Sequence, residues 1–261
     1  MIAKSPTKPG TSGKEYQRGG KEVFRGRLFG KAALLLLLFA LAMGGCSSNQ
    51  SPEWSPPWQE GEVTVMEIEK EGELFLVQEL QVKKEGEALL FITEHLSTNF
   101  PQRRQVTLDA STLLPLRTEF DQVTEEGKST LLAVYEDRNV GITREDENGS
   151  RQQNVTLPGR AYYDFEQLPF LVRALPLEEG WRGKLNLLVA PTARKVVSEI
   201  AVTGREEVNV PAGTFDAYIV EAAGLEQKFW VAVEPPHQLV KHENGITGLV
   251  SELAQFFPQG R

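Results

Sequence analysis

The sequence predicts a mainly β domain, an antiparallel meander with a short covering helix near 164–175. Three observations carry that expectation. From Glu62 onward apolar and polar residues alternate in short runs, turn dipeptides punctuate those runs, and one stretch shifts to helical periodicity.

The strands follow in chain order. Leu74, Leu76, Leu80 and Val82 alternate with more polar positions, broken only by Gln78. Ala88, Leu89, Leu90, Phe91 and Ile92 begin another strand, and 105–108, 116–120 and 129–135 continue the series. Later strands are expected at 195–203, 206–210, 214–221, 226–233, 239–242 and 248–253. Between them stand Glu71-Gly72, Glu85-Gly86, Glu126-Gly127, Asn148-Gly149, Pro211-Ala212-Gly213 and Asn244-Gly245. Asn-Gly pairs suit tight hairpin turns, which need positive φ. After the Pro211 turn, Phe215, Ala217 and Ile219 share one face of a strand, and Asp216, Tyr218 and Val220 share the other.

The helix has its own local signals. Asp164 can cap an N-terminus, and Gln167 three positions on completes a capping box. Phe165, Leu168, Leu171, Val172 and Leu175 then fall on one apolar face. Pro169 is incompatible with a helix interior, so the helix kinks there or starts near it. So apolar a face needs cover, and the concave side of a curved sheet supplies it.

Residues 1–45 are read as a polar n-region plus signal peptide and are excluded from the fold. Arg25, Arg27 and Lys31 precede an apolar stretch from Ala32 to Met43, too short for the ~20 residues of a membrane-spanning helix. Gly44-Gly45-Cys46 follows, and this resembles the lipobox of bacterial lipoproteins, with Met43 in place of the usual leucine. The resemblance implies cleavage before Cys46, which becomes the new N-terminus, and a diacylglycerol with palmitate-type acyl chains on its thiol; Cys46 is the chain's one cysteine. Two acyl chains hold a protein stably on a membrane where one is marginal. The expected location is the extracytoplasmic face of the cell membrane. In a cell with two membranes, Ser47 after the cysteine points by analogy to the outer one. The long polar stretch before Val23 also fits a translation start at Val23.

Residues 46–61 are expected to be an acylated N-terminus and a Pro/Ser-rich tether, and 62–257 a single β-rich domain. A dozen extended residues span up to ~40 Å. Trp54 and Trp58 have two readings, a seat at the membrane interface or docking on the domain, and docking is preferred.

Charge narrows the partners. The 28 Lys+Arg and 36 Asp+Glu of the whole chain include eight and two, respectively, before residue 46, which leaves 20 against 34 and a net charge of −14 beyond it. Such a domain repels nucleic acid. Expected partners are the membrane through the lipid anchor, and an apolar small molecule or an envelope protein.

Chemistry is sparse. His237 and His242 lie five apart beside Glu243, without the zincin helix pattern, and read as surface and turn histidines. Beyond residue 45 no Gly-x-Ser-x-Gly elbow, Ser-x-x-Lys pair, phosphate-binding loop or dinucleotide fingerprint occurs. The cluster Glu145-Asp146-Glu147-Asn148-Gly149 lacks calcium-loop spacing and reads as a solvated hairpin tip. No catalytic residue, metal or cofactor is assigned.

A resemblance completes the reading. Tyr163-Asp164, the apolar run to Leu171, Arg173-Ala174-Leu175-Pro176-Leu177 and Gly180 resemble a signature of domain-of-unknown-function family 3108. So does 208–218, Val-Asn-Val-Pro-Ala-Gly-Thr-Phe-Asp-Ala-Tyr, followed by a strand ending in Phe229-Trp230. The likeness implies a bacterial envelope protein, similar in fold to the Lol lipoprotein carriers, hence a strongly curved antiparallel sheet or half-barrel under its covering helix, and no particular reaction. The expected function is therefore non-catalytic binding of an apolar ligand or envelope protein. Phe165, Leu168, Leu171, Val172, Phe215, Ile219 and Trp230 are the candidates to line the space between helix and sheet. The alternative is a carboxylate-dependent hydrolase acting on cell-envelope polymer.

Overall fold

A computed structural model describes residues 52–97 and 99–260. The expectations that fall on earlier residues, Cys46 and the signal peptide among them, lie outside the described residues. Among the described residues no helix is long and apolar enough to cross a membrane.

The chain runs as two meanders that meet in the middle of one sheet. The first contains β1 (Val63–Lys70), β2 (Glu73–Glu85), β3 (Ala88–His95), β4 (Gln102–Asp109), β5 (Pro115–Thr124), β6 (Gly127–Glu136), β7 (Asn139–Asp146) and β8 (Gly149–Thr156). The second contains β9 (Tyr163–Asp164), β10 (Arg182–Val189), β11 (Arg194–Val210), β12 (Gly213–Ala223), β13 (Gln227–Ala232), β14 (Leu239–Asn244) and β15 (Leu249–Phe257). β15 returns to pair antiparallel with β1, which gives a 15-stranded sheet with β8 and β9 at its edges. Every neighbouring pair is antiparallel except β9 and β10. A sheet this wide twists and curls rather than staying flat. The mainly β architecture expected from the alternation, and the curved sheet implied by the resemblance, are what the chain forms.

All six turn signals sit at turns between strands, five of them on a positive-φ glycine; at Asn244-Gly245 the positive φ falls on Gly248 instead. Gly72, Gly86, Gly127, Gly149 and Gly213 have φ between 62° and 132°. β1, β7, β8, β9 and β10 are not among the strands expected individually. β8 has few apolar residues and a nearly all-exposed pattern, so nothing in its own sequence announces it; pairing with β7 makes it a strand.

The covering helix is one short α turn, α1 (Leu168–Leu171), between 3₁₀ turns Phe165–Gln167 and Val172–Ala174. The capping box is present: the Asp164 carboxylate accepts from the Glu166 N–H at 2.9 Å, and Gln167 Oε1 accepts from the Asp164 N–H at 2.8 Å. Pro169 lies in the first turn of α1, where its missing N–H costs no hydrogen bond. Phe170, Leu171 and Val172 are buried against Phe91, Leu185, Phe229 and Val231 in the main core. Phe170 and Phe91 stack with ring centroids 4.3 Å apart. Burying each such side chain stabilises the fold by roughly 1.5–3 kcal/mol.

Cover also comes from the segment before β1. Trp54 Nε1 donates to the Tyr163 hydroxyl at 3.0 Å, and Trp58 meets the Phe91 ring edge-on at 4.8 Å. The Ser55 N–H donates to the Ala174 carbonyl at 2.9 Å. Both tryptophans dock on the domain, so residues 54–58 are held against it rather than spanning a gap as free tether.

Two buried polar clusters fix this cover in place. Arg173 forms an ion pair with Glu62 at 2.5 Å and donates from Nε to the His237 carbonyl at 2.9 Å and from Nη2 to the Pro236 carbonyl at 3.1 Å. The other cluster bridges the seam between the sheet edges. Asp164 Oδ2, on β9, accepts from Thr118 Oγ1 of β5 at 2.8 Å and from the Tyr135 hydroxyl of β6 at 2.5 Å. Burial first, then the charge of Glu166, pushes the Asp164 carboxyl up to about 6, and the same burial holds the Tyr135 hydroxyl well above its usual value. A second apolar cluster joins β6, β7 and β8 to Tyr162, Leu188 and Ala190 across the same seam.

Candidate functional site

A cavity of about 280 Å³ remains at one end of the space between the covering segment and the sheet. The start of the helical segment roofs it with Phe165, Glu166, Leu168 and Pro169. Its walls come from both meanders: β2 and β3 supply Phe75, Gln78, Thr93 and His95, and β4 supplies Arg104. Gln227 and Phe229 of β13, His242 and Asn244 of β14, and Leu249 and Ser251 of β15 close the other side.

Local structure explains how these side chains get there. In the β1–β2 ladder Ile68 faces Leu76 and Glu69 faces Leu74, which leaves Phe75 as the extra residue of a bulge. A bulge re-aims its side chain, and Phe75 stands at the mouth of the cavity, 59 % exposed. His95 lies opposite Gln78 on the neighbouring strand, and its Nε2 is 3.1 Å from Gln78 Oε1. His242 lies opposite Phe229, and the two rings stack with centroids 4.5 Å apart and 4° between planes. His242 Nε2 is 2.5 Å from Gln227 Oε1.

The electrostatics favour an uncharged interior. Burial lowers His242 to about 4, and burial followed by the nearby Arg104 charge lowers His95 to about 4, so both imidazoles are neutral at pH 7. Arg104 Nε lies 3.4 Å from Glu166 Oε2, and its guanidinium sits 5.1 Å from the centre of the Phe120 ring. Glu166 is the one carboxylate lining the cavity among the described residues, and it is paired. Elsewhere the buried carboxylates of Glu62 and Asp164 are held in the two clusters above. Among the residues that line this cavity no second carboxylate stands beside Glu166, so it lacks the carboxylate pair of a glycoside hydrolase.

The seven residues expected to line one space are divided among several. Phe165 and Leu168 reach the cavity. Leu171 and Val172 are completely enclosed in the packed core and are not among the residues that line the cavity. Phe215 lines a separate open groove of about 1070 Å³ with Ala212, Pro235, Leu253 and Phe256. Ile219 and Trp230 belong to a cluster with Ala217, Ala232 and Val240, whereas Val220, Phe229 and Val231 join the main core. Period-two alternation therefore places Ile219 and Trp230 on the face of the sheet away from α1. There Trp230 lies under the ammonium groups of Lys228 and Lys241, at 4.4 and 5.3 Å from the ring centre, and donates from Nε1 to Glu206.

His95, Arg104, Gln227 and His242 were not singled out as cavity residues. The available signal was apolar strands carrying isolated histidines, which is compatible with many placements. His237 does not join His242: its Nδ1 lies 3.1 Å from the Ala232 carbonyl in the turn before β14. Among the described residues no three His, Cys, Asp or Glu side chains gather as a metal site.

The paired motifs at 163–177 and 208–230 thus meet in one fold, with Arg173 and Asp164 anchoring the cover. The profile of the family described as "Protein of unknown function (DUF3108)" matches residues 63–246. The chain belongs to the DUF3108 family. The matched stretch contains almost the whole sheet and the helical segment of this DUF3108 protein. No curated protein matches it. Among solved structures it is similar to a β-barrel-like protein of domain of unknown function DUF1849 from Brucella abortus, at 8 % identity, covering 76 % of this chain and 98 % of that one, with a TM-score of 0.45. It is also similar to a DUF1089 family protein from Pseudomonas aeruginosa, at 15 % identity, covering 73 % and 95 % of the two chains, with a TM-score of 0.32.

Proposed function

We propose that this DUF3108 protein is a lipid-anchored, extracytoplasmic binding protein that holds a small, largely apolar molecule in the cavity beneath Phe165 and Leu168. The cavity is the single observation that carries the binding reading. Small-molecule sites are concave, mostly apolar and fitted with a few placed polar groups, and the aromatic walls with two neutral histidines fit that description. At about 280 Å³ the space suits a compact ligand, because Phe170, Leu171 and Val172 fill the rest of the interval between cover and sheet. A long acyl chain, as a carrier of the Lol kind would take, has no channel there.

The anchoring reading is supported by the Leu-rich stretch ending in Gly44-Gly45-Cys46. It is tested by growing cells that express the full chain with labelled palmitate. The wild type is expected to take up label and sediment with membranes, and Cys46→Ala to do neither. Label retained in the Cys46→Ala chain would overturn it.

A further inference from the structure

The cavity contains a hydrogen-bond acceptor whose identity is fixed by the residues behind it. Gln227 is buried, and its Nε2 donates to the Leu225 carbonyl at 3.2 Å. That bond orients the carboxamide, since a carbonyl accepts only from the NH₂ end. Gln227 Oε1 therefore faces His242 Nε2 and, being an acceptor, requires that nitrogen to carry the proton. A neutral imidazole protonated on Nε2 has its lone pair on Nδ1. Phe229, stacked flat on the ring, keeps the imidazole from swinging out of this arrangement.

His242 Nδ1 has no partner among the described residues. The side-chain atoms sealed from solvent without a partner are Trp58 Nε1 and Gln238 Oε1, so Nδ1 is not closed off by protein, and its residue lines the cavity. An accessible acceptor in an apolar, aromatic-walled space is satisfied by a ligand that donates to it. Phe75, Phe165, Leu168 and Phe229 supply the apolar contact around it.

We propose that the cavity selects an uncharged ligand bearing a hydroxyl or N–H donor on a compact apolar body, with His242 Nδ1 as the acceptor. This rests on the binding reading above and names its ligand class. A cationic ligand is disfavoured because Glu166, the cavity's one carboxylate among the described residues, is already paired with Arg104. An anion would have to displace Glu166 from that pair. A purely hydrocarbon ligand would leave Nδ1 desolvated and unpaired.

The test uses the full chain, with p-cresol and p-xylene as probes, in calorimetric titrations. The two differ by a hydroxyl in place of a methyl, and the hydrophobic effect alone favours p-xylene. The wild type is expected to bind p-cresol roughly tenfold more tightly than p-xylene. His242→Phe keeps the stack on Phe229 and is expected to lose that preference while still binding p-xylene. Equal affinities in the wild type, or a preference that survives His242→Phe, would overturn the acceptor claim and leave the binding reading standing. Binding of neither probe would remove both. Nitrogen-15 spectra of the wild type give a readout independent of the variant. The Nε2-protonated tautomer is expected, with Nδ1 shifting on addition of p-cresol and not of p-xylene; the opposite tautomer would contradict the proposal.

Discussion

Glu62 and Arg173, 111 positions apart, form an ion pair in which both side chains are almost wholly buried, at 1 % and 3 % exposure. The pair joins the start of β1 to the last turn of the covering segment, and Arg173 also ties down the carbonyls of Pro236 and His237. The arginine of the Arg-Ala-Leu-Pro-Leu motif is thus a fastener of the cover. Glu62 also accepts from the Gln59 N–H at 3.1 Å, which holds the chain just after Trp58.

Removing one partner leaves the other charge buried and uncompensated. Arg173→Met alone is expected to destabilise the fold by about 3–5 kcal/mol, whereas the double change Glu62→Leu with Arg173→Met costs much less. Urea unfolding of the single and double variants checks this. Equal losses in both would show that the charges are not energetically coupled.

Asp164 makes a pH signature of its own. Its folded value, about 6, lies above its ordinary value of 3.8, so the folded state holds the proton more tightly. Its contribution is fully present below pH 3.8 and is lost as pH rises through 6, a change on the order of 3 kcal/mol. Asp164→Asn is expected to remove that component while keeping an oxygen to cap the Glu166 N–H. Denaturation midpoints of both proteins from pH 4 to 7 test the sign; an unchanged difference between them across the range would contradict it.

His242 pulls the other way. Its folded value, about 4, lies below its ordinary 6.5, so its contribution is present above pH 6.5 and is lost as pH falls through 4. His242→Phe is therefore expected to lose less stability than the wild type between pH 6.5 and 4, whatever its loss at neutral pH from leaving Gln227 Oε1 unpaired. Chemical denaturation at the two pH values measures it. A variant as acid-sensitive as the wild type would show that His242 is not buried in its neutral form.

What the sequence made legible was local. Five of the turn glycines and the Asp164–Gln167 capping box depend on residues within a few positions of one another, and each forms as its spacing implies, whereas in the Asn244-Gly245 turn the positive φ moves to Gly248. Alternation showed correctly that Phe215, Ala217 and Ile219 share a face, but not which face looks inward. Both faces of β12–β14 are apolar, because lysine stems and Glu206 cover Trp230 on the far side. The cavity was illegible for a different reason. Its walls come from β2, β3 and β4 in one meander and from β13, β14 and β15 in the other, and only the return of β15 to β1 brings them together. The Glu62–Arg173 pair and the reach of Asp164 to Thr118 and Tyr135 are non-local in the same way.

The central claim is that the hollow beneath Phe165 and Leu168 holds a ligand, and native mass spectrometry of the chain purified from its own cells tests it most directly. Thr93→Leu with Ser251→Leu fills the hollow with apolar side chains from β3 and β15. The wild type is expected to carry one compact organic molecule, and the filled variant to fly without it while unfolding cooperatively. A wild-type chain with no bound mass, or a filled variant that retains the same one, would contradict the account.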